Sequence, residues 1–221
     1  MPNGKNNSCS CLSQLATELV EQRYHCDAKE TPRDHEAITA INERNGDLAE
    51  RTRIIVAWLE YYGVLRGLPA AAWNSISYQI IAFGDNRREK SLHRNEDQIV
   101  SEFSKLEENI REVMPRNKNG EARDAVSLTS KALWLCFPDD IPIYDANALT
   151  GLKVISRLCH WASPDRTVYV RFVHLWLQAY SELEPIIDRA DLSGCPYKVR
   201  VLDRVLWYLG KAEFYDEAEF R

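Results

Sequence analysis

The sequence contains little glycine and little proline, with 9 of each among 221 residues. This low share excludes collagen-like and low-complexity chains, in which these residues dominate. Long apolar runs are also missing, since no stretch of about 18 uncharged apolar residues is present to cross a bilayer. The opening residues, MPNGKNNSCSCL, lack the apolar core of a secretory signal peptide. We therefore expect a protein without a membrane segment that resides in the cytoplasm.

Spacings typical of metal sites are absent as well. The 6 cysteines form no CxxC pair and the 5 histidines show no HxxxH spacing, so the sequence indicates neither a zinc site nor a disulfide framework. We expect no metal and no organic cofactor. Hydrophobic residues make up 45% of the chain, and a chain of this length buries roughly 70% of the surface that its unfolded form exposes. The apolar core is therefore expected to hold the fold together.

The chain also lacks an excess of positive charge. Its 28 Lys and Arg residues are outnumbered by 33 Asp and Glu residues, which gives a formal net charge of −5. This sign excludes the binding of nucleic acid by bulk attraction. Any contact with nucleic acid must come from a local basic surface, and three segments are net basic: residues 87–94, 116–123 and 198–204.

Apolar residues recur at helical spacing along almost the whole chain, and no run alternates clearly enough to indicate a strand. The pattern predicts an all-α protein, a helical bundle in two lobes. The segment 115–120, PRNKNG, is the most linker-like stretch, and the next helix is expected to begin near Glu121. We expect an N-terminal lobe at residues 1–115 and a C-terminal lobe at 116–221, packed as one unit with a cleft between them.

The segment 128–152 places polar residues where packing alone does not require them. Lys131 precedes the apolar turns of a predicted helix, and desolvation by such neighbours makes a lysine amine nucleophilic. Pro138 and Pro142 fix a turn that leads to Tyr144 and Asp145. Asp145 is predicted to cap the next helix, where free N–H groups and the helix dipole favour a carboxylate. Such a carboxylate suits the stabilisation of a positively charged transition state.

These residues resemble a known family, the helix-hairpin-helix DNA glycosylases, in the branch related to 8-oxoguanine glycosylase. The residues IPIYD at 141–145 match the family element that ends in its catalytic aspartate, and TSK at 129–131 resembles the element that carries its catalytic lysine. The resemblance covers about residues 120–211, including the final helix. The residues SLT at 127–129 stand where the family has a Gly-x-Gly turn that binds a DNA phosphate, so the predicted hairpin is degenerate.

The resemblance implies an enzyme that flips a modified base out of double-stranded DNA and cleaves its N-glycosidic bond. Asp145 and Lys131 are then the catalytic pair, and strand nicking accompanies base release if Lys131 is the nucleophile. Similar bacterial proteins act in antiphage defence on hypermodified bases, so phage DNA with glucosylated hydroxymethylcytosine is one candidate substrate. Candidate contacts to the flipped base are Tyr144, Asn147, Trp134, Trp207 and Tyr208. Candidate contacts to the DNA backbone are Ser127, Thr129, Ser130, Arg87, Arg88, Arg94, Lys198 and Arg200.

The residues taken alone leave a plainer interpretation open. Asp145 is then an ordinary helix cap and Lys131 an ordinary first-turn lysine. In that case the chain is a catalytically inactive helical module that binds DNA or a protein. The excised base also stays open, because oxidised, alkylated and glucosylated bases differ only by pocket volume and a few contacts. We expect the protein to act as a monomer.

Overall fold

A computed structural model describes Thr17 and residues 30–43, 45–87, 91–162, 165–189 and 197–211. Every regular element in this described part is an α-helix, which confirms the prediction of an all-α protein. None of these helices combines the length and the apolar character that a bilayer crossing requires. The helices are α1 (Glu30–Asn42), α2 (Leu48–Tyr61), α3 (Ala70–Asp85), α4 (Glu96–Val113), α5 (Val126–Cys136), α6 (Ala146–Leu158), α7 (Val168–Ile187) and α8 (Lys198–Gly210).

Several helices begin where a polar side chain caps them. Asp47 caps α2 by accepting a hydrogen bond from the backbone N–H of Ala49 at 3.0 Å. Asn95 caps α4 through a bond of 3.1 Å from the backbone N–H of Gln98. Helix α5 begins at Val126 and not near residue 121, because residues 117–121 form a hydrogen-bonded turn. Side-chain caps thus mark the starts of α2 and α4, and the turn at residues 117–121 moves the start of α5 to Val126.

The chain divides into two compact units, each described here by itself. The first runs from Asp27 to Ile143 and contains α1 to α5, and the second contains α6, α7 and α8. The division therefore falls after Ile143 and not, as the sequence predicted, between residues 115 and 116. The physical reason is that the linker-like segment 115–120 joins α4 to α5, which pack against each other in the same unit.

Helix α5 is the most deeply buried helix of the first unit. It packs against α1, α3 and α4, and all its residues from Leu128 to Leu135 are buried. Arg51 on α2 is 4% exposed and donates hydrogen bonds to the carbonyls of Ala40 (2.7 Å) and Ile41 (3.2 Å). It also forms an ion pair of 2.9 Å with Asp85 on α3. Arg51 thereby supplies hydrogen bonds to carbonyls in the last turn of α1 that have no partner within the helix. It also links helices α1, α2 and α3.

In the second unit, α6 and α8 run antiparallel with their backbones in contact. A Cβ atom on Gly151 of α6 would overlap the carbonyl oxygen of Leu206, and one on Gly210 of α8 would overlap that of Asn147. Only glycine fits at these two positions, because any side chain would push the helices apart. The contact between Gly210 and Asn147 sets the last turn of α8 beside the first turn of α6.

Candidate active site

Asp145 occupies the N-cap position of α6, as the sequence predicted. Its backbone is extended (φ −141°, ψ 149°), and its Oδ1 accepts a hydrogen bond from the backbone N–H of Asn147 at 2.8 Å. The residue is half-buried. Within the described residues this is the only hydrogen bond of its side chain. The cap therefore engages one carboxylate oxygen, beside N–H groups and a helix dipole that favour negative charge.

Lys131 lies in the second turn of α5 and is 6% exposed. Its Nζ donates a hydrogen bond to Oγ of Ser127, one turn earlier, at 2.8 Å. The four residues that follow it, Ala132–Leu135, are apolar and fully buried. Lys131 is therefore buried, and the nucleophilic character that the sequence predicted for its amine stays a prediction. Ser127, predicted to contact DNA, is instead a hydrogen-bond partner of the amine.

Three other side chains of α5 that were predicted to face DNA are fully buried. Thr129 and Ser130 are 0% exposed, and the Ser130 hydroxyl donates to the carbonyl of Ser127 at 3.1 Å. Trp134 is also 0% exposed, and its ring stacks on that of Trp58 with centroids 6.1 Å apart. In this conformation Thr129 and Ser130 do not reach a DNA backbone, and Trp134 is a core residue that does not face a flipped base.

The predicted aromatic contacts of the second unit are more accessible. Trp207 and Tyr208 are half-buried near the end of α8, with their rings edge to face and centroids 5.4 Å apart. Nζ of Lys211 lies 3.7 Å from the centroid of the Trp207 ring, a cation–π contact. Tyr144 is half-buried and packs its ring edge against Phe172 of α7, with centroids 5.2 Å apart.

The packing of α8 against α6 brings several predicted residues together. Gly210 adjoins the backbone of Asn147, so the last turn of α8 and the first turn of α6 lie at the same end of the second unit. Asp145 starts that turn of α6, and Trp207 and Tyr208 belong to that end of α8. The structure thus gathers a carboxylate, a half-buried Asn147 and two aromatic rings at one end of the unit.

Arg87, a predicted DNA contact, takes part in a structural ion pair. Its Nε donates to Oε2 of Glu102 at 2.6 Å, and Nζ of Lys105 donates to Oε1 of the same carboxylate at 2.9 Å. Burial raises the pKa of the Glu102 carboxyl, but the bonds from Lys105 and Arg87 outweigh it and hold that pKa below its usual range. Arg87 therefore neutralises a buried carboxylate of the first unit.

The other predicted basic contacts lie apart from one another in the chain. Arg94 is half-buried and donates from Nε to a backbone carbonyl of the loop after α5 at 3.2 Å. Lys198 pairs with Asp188 at 2.7 Å on the surface of the second unit. Arg200 is only 7% exposed, which limits its access to a DNA backbone. Arg88 lies outside the described residues.

A surface cleft of about 600 Å³ between α1 and α2 was not predicted. None of the predicted site residues lines it. The signal in the sequence was the recurrence of acidic residues at helical spacing, but solvated helix faces carry the same pattern. The lining carries a negative charge that opposes DNA binding, and its titratable residues are His35, Glu36, Glu43, Asp47, Glu50 and Arg51.

Within the described residues, no group of three or more His, Cys, Asp or Glu side chains is placed to hold a metal ion. A scan against models of protein families, a search of curated proteins and a search of solved structures each gave no match to this chain. The assignment of a function therefore depends on the residues and their surroundings.

Proposed function

We propose that the protein is a DNA glycosylase, which flips a modified base out of double-stranded DNA and cleaves its N-glycosidic bond. The observation that carries the proposal is the position of Asp145, a half-buried carboxylate at the N-terminus of α6 with one oxygen engaged by the cap bond. Trp207 and Tyr208 at the same end of the unit support it, because flipped bases stack on aromatic side chains.

Cleavage of the glycosidic bond builds positive charge on the sugar as the base leaves with the bonding electron pair. A carboxylate held in place by its own backbone stabilises that charge without reorganising during the reaction. In the proposal Asp145 is this group, and water or an amine then bonds to the sugar carbon. The chemistry requires no metal or organic cofactor.

Lys131 is the amine that we assign as nucleophile. It is 6% exposed and donates a hydrogen bond to the Ser127 hydroxyl at 2.8 Å, and a lysine amine is the group that forms a Schiff base with a carbonyl carbon. Attack forms a bond between Nζ and the sugar carbon as the base leaves with the bonding electron pair. Cleavage of the bond from that carbon to the ring oxygen, with transfer of an amine proton to that oxygen, then yields a Schiff base, which borohydride reduces to a stable protein–DNA adduct. We expect such an adduct from the wild type and none from Lys131→Met. Base release without a trapped adduct in the wild type would assign the attack to water and remove Lys131 from the chemistry.

The experiment that tests the function is the detection of released bases. Purified protein is incubated with genomic DNA that carries oxidised, alkylated or glucosylated hydroxymethylated bases, and free bases are identified by mass spectrometry. We expect one modified base to be released from one class of DNA. Release from phage DNA with glucosylated hydroxymethylcytosine would assign the enzyme to phage defence. No release from any of these DNAs would contradict the proposal.

The burial of Thr129 and Ser130 favours a second candidate function, a helical module that binds DNA or a protein without catalysis. In that case the segment that resembles a phosphate-binding hairpin serves only to pack the core. This candidate predicts that the protein releases no base from any DNA of the panel, and that Asp145→Asn leaves its binding properties unchanged.

A further inference from the structure

The loop before α5 is a rigid turn organised by Asn117. Its Oδ1 accepts hydrogen bonds from the backbone N–H groups of Asn119 (2.9 Å) and Glu121 (3.0 Å), and its backbone N–H bonds to the Glu121 carbonyl at 2.9 Å. Arg116 donates from Nη1 to the carbonyl of Gly120 at 2.8 Å, and exposed Lys118 sits at the tip of the turn. The loop therefore holds two cationic side chains on a defined backbone.

Arg123, at the end of this loop, connects it to a second turn of the first unit. The backbone N–H of Leu68 bonds to the carbonyl of Leu65 at 3.1 Å, and Gly67 within that turn has φ +74°, a conformation that favours glycine. Nη1 of Arg123 lies 3.7 Å from the position that a Cβ on Gly67 would occupy. The exposed Arg66 precedes Gly67 in the same turn, and its guanidinium lies beside Gly63. We call Arg66, Arg116, Lys118 and Arg123 the basic corner.

The cations of the basic corner are not paired with acidic side chains of the described residues. Within the described residues none of its four cations forms an ion pair, and the buried Nε of Arg123 has no hydrogen-bond acceptor. The two acidic residues of the loop reduce its net positive charge, and each accepts a hydrogen bond from an uncharged donor. Glu121 accepts a bond from the Asn117 amide at 3.0 Å, and Asp124 accepts one from the backbone N–H of Val126 at 2.9 Å.

Asp124 also determines where an anion does not bind. Its carboxylate accepts a hydrogen bond at the N-terminus of α5, the position at which the resembled hairpin would bind a phosphate. A phosphate there would meet a carboxylate, and Thr129 and Ser130 are buried. We therefore expect an anionic partner to bind at the basic corner, in the loop before α5, and not at the N-terminus of α5.

We propose that the basic corner contacts the phosphates of a DNA duplex. The proposal deepens the function proposed above and rests on it for the choice of DNA as the partner. Guanidinium groups suit phosphates, and several cations on a rigid turn neutralise neighbouring phosphates and release the counterions bound to them. The local positive charge also explains how a chain with a net charge of −5 binds a polyanion.

The test compares two double variants that lose the same charge. Arg66→Gln/Lys118→Gln alters exposed residues of the basic corner, and Arg53→Gln/Arg111→Gln alters two arginines that are paired with Glu50 and Glu107 on the same unit. Fluorescence anisotropy with an unmodified DNA duplex, over a series of salt concentrations, measures Kd and the slope of log K against log salt.

For Arg66→Gln/Lys118→Gln we expect the magnitude of that slope to fall by about 2 and Kd at 0.1 M salt to rise by about 10-fold or more. The control variant should retain the wild-type slope. Equal slopes in the two variants would overturn the inference, and so would a wild type that does not bind the duplex. An RNA duplex that binds more tightly than the DNA duplex, with the same dependence on salt, would overturn it as well. Single substitution Arg123→Gln should lower the slope by about 1.

The outcomes separate this inference from the proposed function. Base release together with equal slopes would contradict the basic corner and leave the glycosylase assignment intact. A smaller salt slope in Arg66→Gln/Lys118→Gln, with no base released by the wild type, would support DNA binding by the basic corner. The same result would contradict the glycosylase assignment.

Discussion

Helices α5 and α6 carry the two residues of the proposed chemistry, yet they are packed in different ways. Helix α5 is buried continuously from Leu128 to Leu135, whereas α6 buries one stripe that includes Gly151 and Ile155 and leaves the start of the helix partly exposed. The hydroxyls of Thr129 and Ser130 in α5 therefore belong to a core, and Asp145 lies at a partly solvated helix end. Apart from Lys131, we expect substitutions in α5 to change stability first and substitutions at the start of α6 to change chemistry first.

The largest effect on stability is expected at Trp134, which we compare with Trp207 because both were candidate contacts to the flipped base. Trp134→Ala removes a fully buried ring stacked on Trp58 and should lower the free energy of unfolding by about 3–5 kcal/mol. Trp207→Ala removes a half-buried ring and should cost about 1 kcal/mol. Urea unfolding of both variants measures these costs, and equal losses would break the contrast between the two regions.

A smaller effect is expected from the close contact of α6 with α8. Gly151→Ala places a methyl group against the carbonyl of Leu206, so the helices must move apart, at an expected cost of about 2–3 kcal/mol. Lys153→Ala on the exposed face of the same helix is the matched control and should change stability by less than about 0.5 kcal/mol. Chemical denaturation compares the two, and a Gly151→Ala variant as stable as the control would show that the backbones are farther apart.

The smallest effect on stability is expected from a substitution at Thr129. This substitution tests whether the Thr129 side chain only packs in the core or also contacts DNA. Its Oγ1 is buried without a hydrogen-bond partner among the described residues, and it is 0% exposed. Thr129→Val keeps the shape and removes an unsatisfied hydroxyl, so the variant should match the wild type or gain up to about 1 kcal/mol. DNA affinity should not change. A loss of affinity at unchanged stability would restore Thr129 as a DNA contact.

The sequence predicted α6 well because its signals are local. An aspartate before an apolar stripe specifies the cap and most of the buried face, and the structure has the cap at Asp145. In the predicted stripe the buried residues are Ala148, Leu152 and Ile155, and the half-buried ones are Leu149, Leu158 and Cys159. The all-α class followed in the same way from helical spacing throughout the chain.

The surroundings of α5 were predicted less well because they depend on distant parts of the chain. A helix that is buried on all sides has no polar face to reveal its orientation, so the apolar stripe around Trp134 did not remove this residue from the candidate base contacts, although Trp207 was better placed. Thr129 and Ser130 were predicted DNA contacts because the resemblance places them at a phosphate-binding hairpin, and a resemblance of this kind does not reveal their burial. The division after Ile143 also depends on packing between α4 and α5, which the linker-like composition of residues 115–120 does not reveal.

The most direct test of the account uses two aspartates with the same structural task. Asp47 and Asp145 each cap a helix by accepting a bond from the backbone N–H two residues later, at 3.0 Å and 2.8 Å. Asparagine caps helices about as well as aspartate, so Asp47→Asn and Asp145→Asn should both change the free energy of unfolding by less than about 0.5 kcal/mol.

Base release from the DNA substrate of the wild type, followed under single-turnover conditions, then separates the two aspartates. The account predicts that Asp47→Asn retains the wild-type rate and that Asp145→Asn loses at least about 100-fold, because only the second variant removes the charge assigned to the transition state. Equal rates in these two variants would contradict the assignment of Asp145 and the proposed mechanism with it.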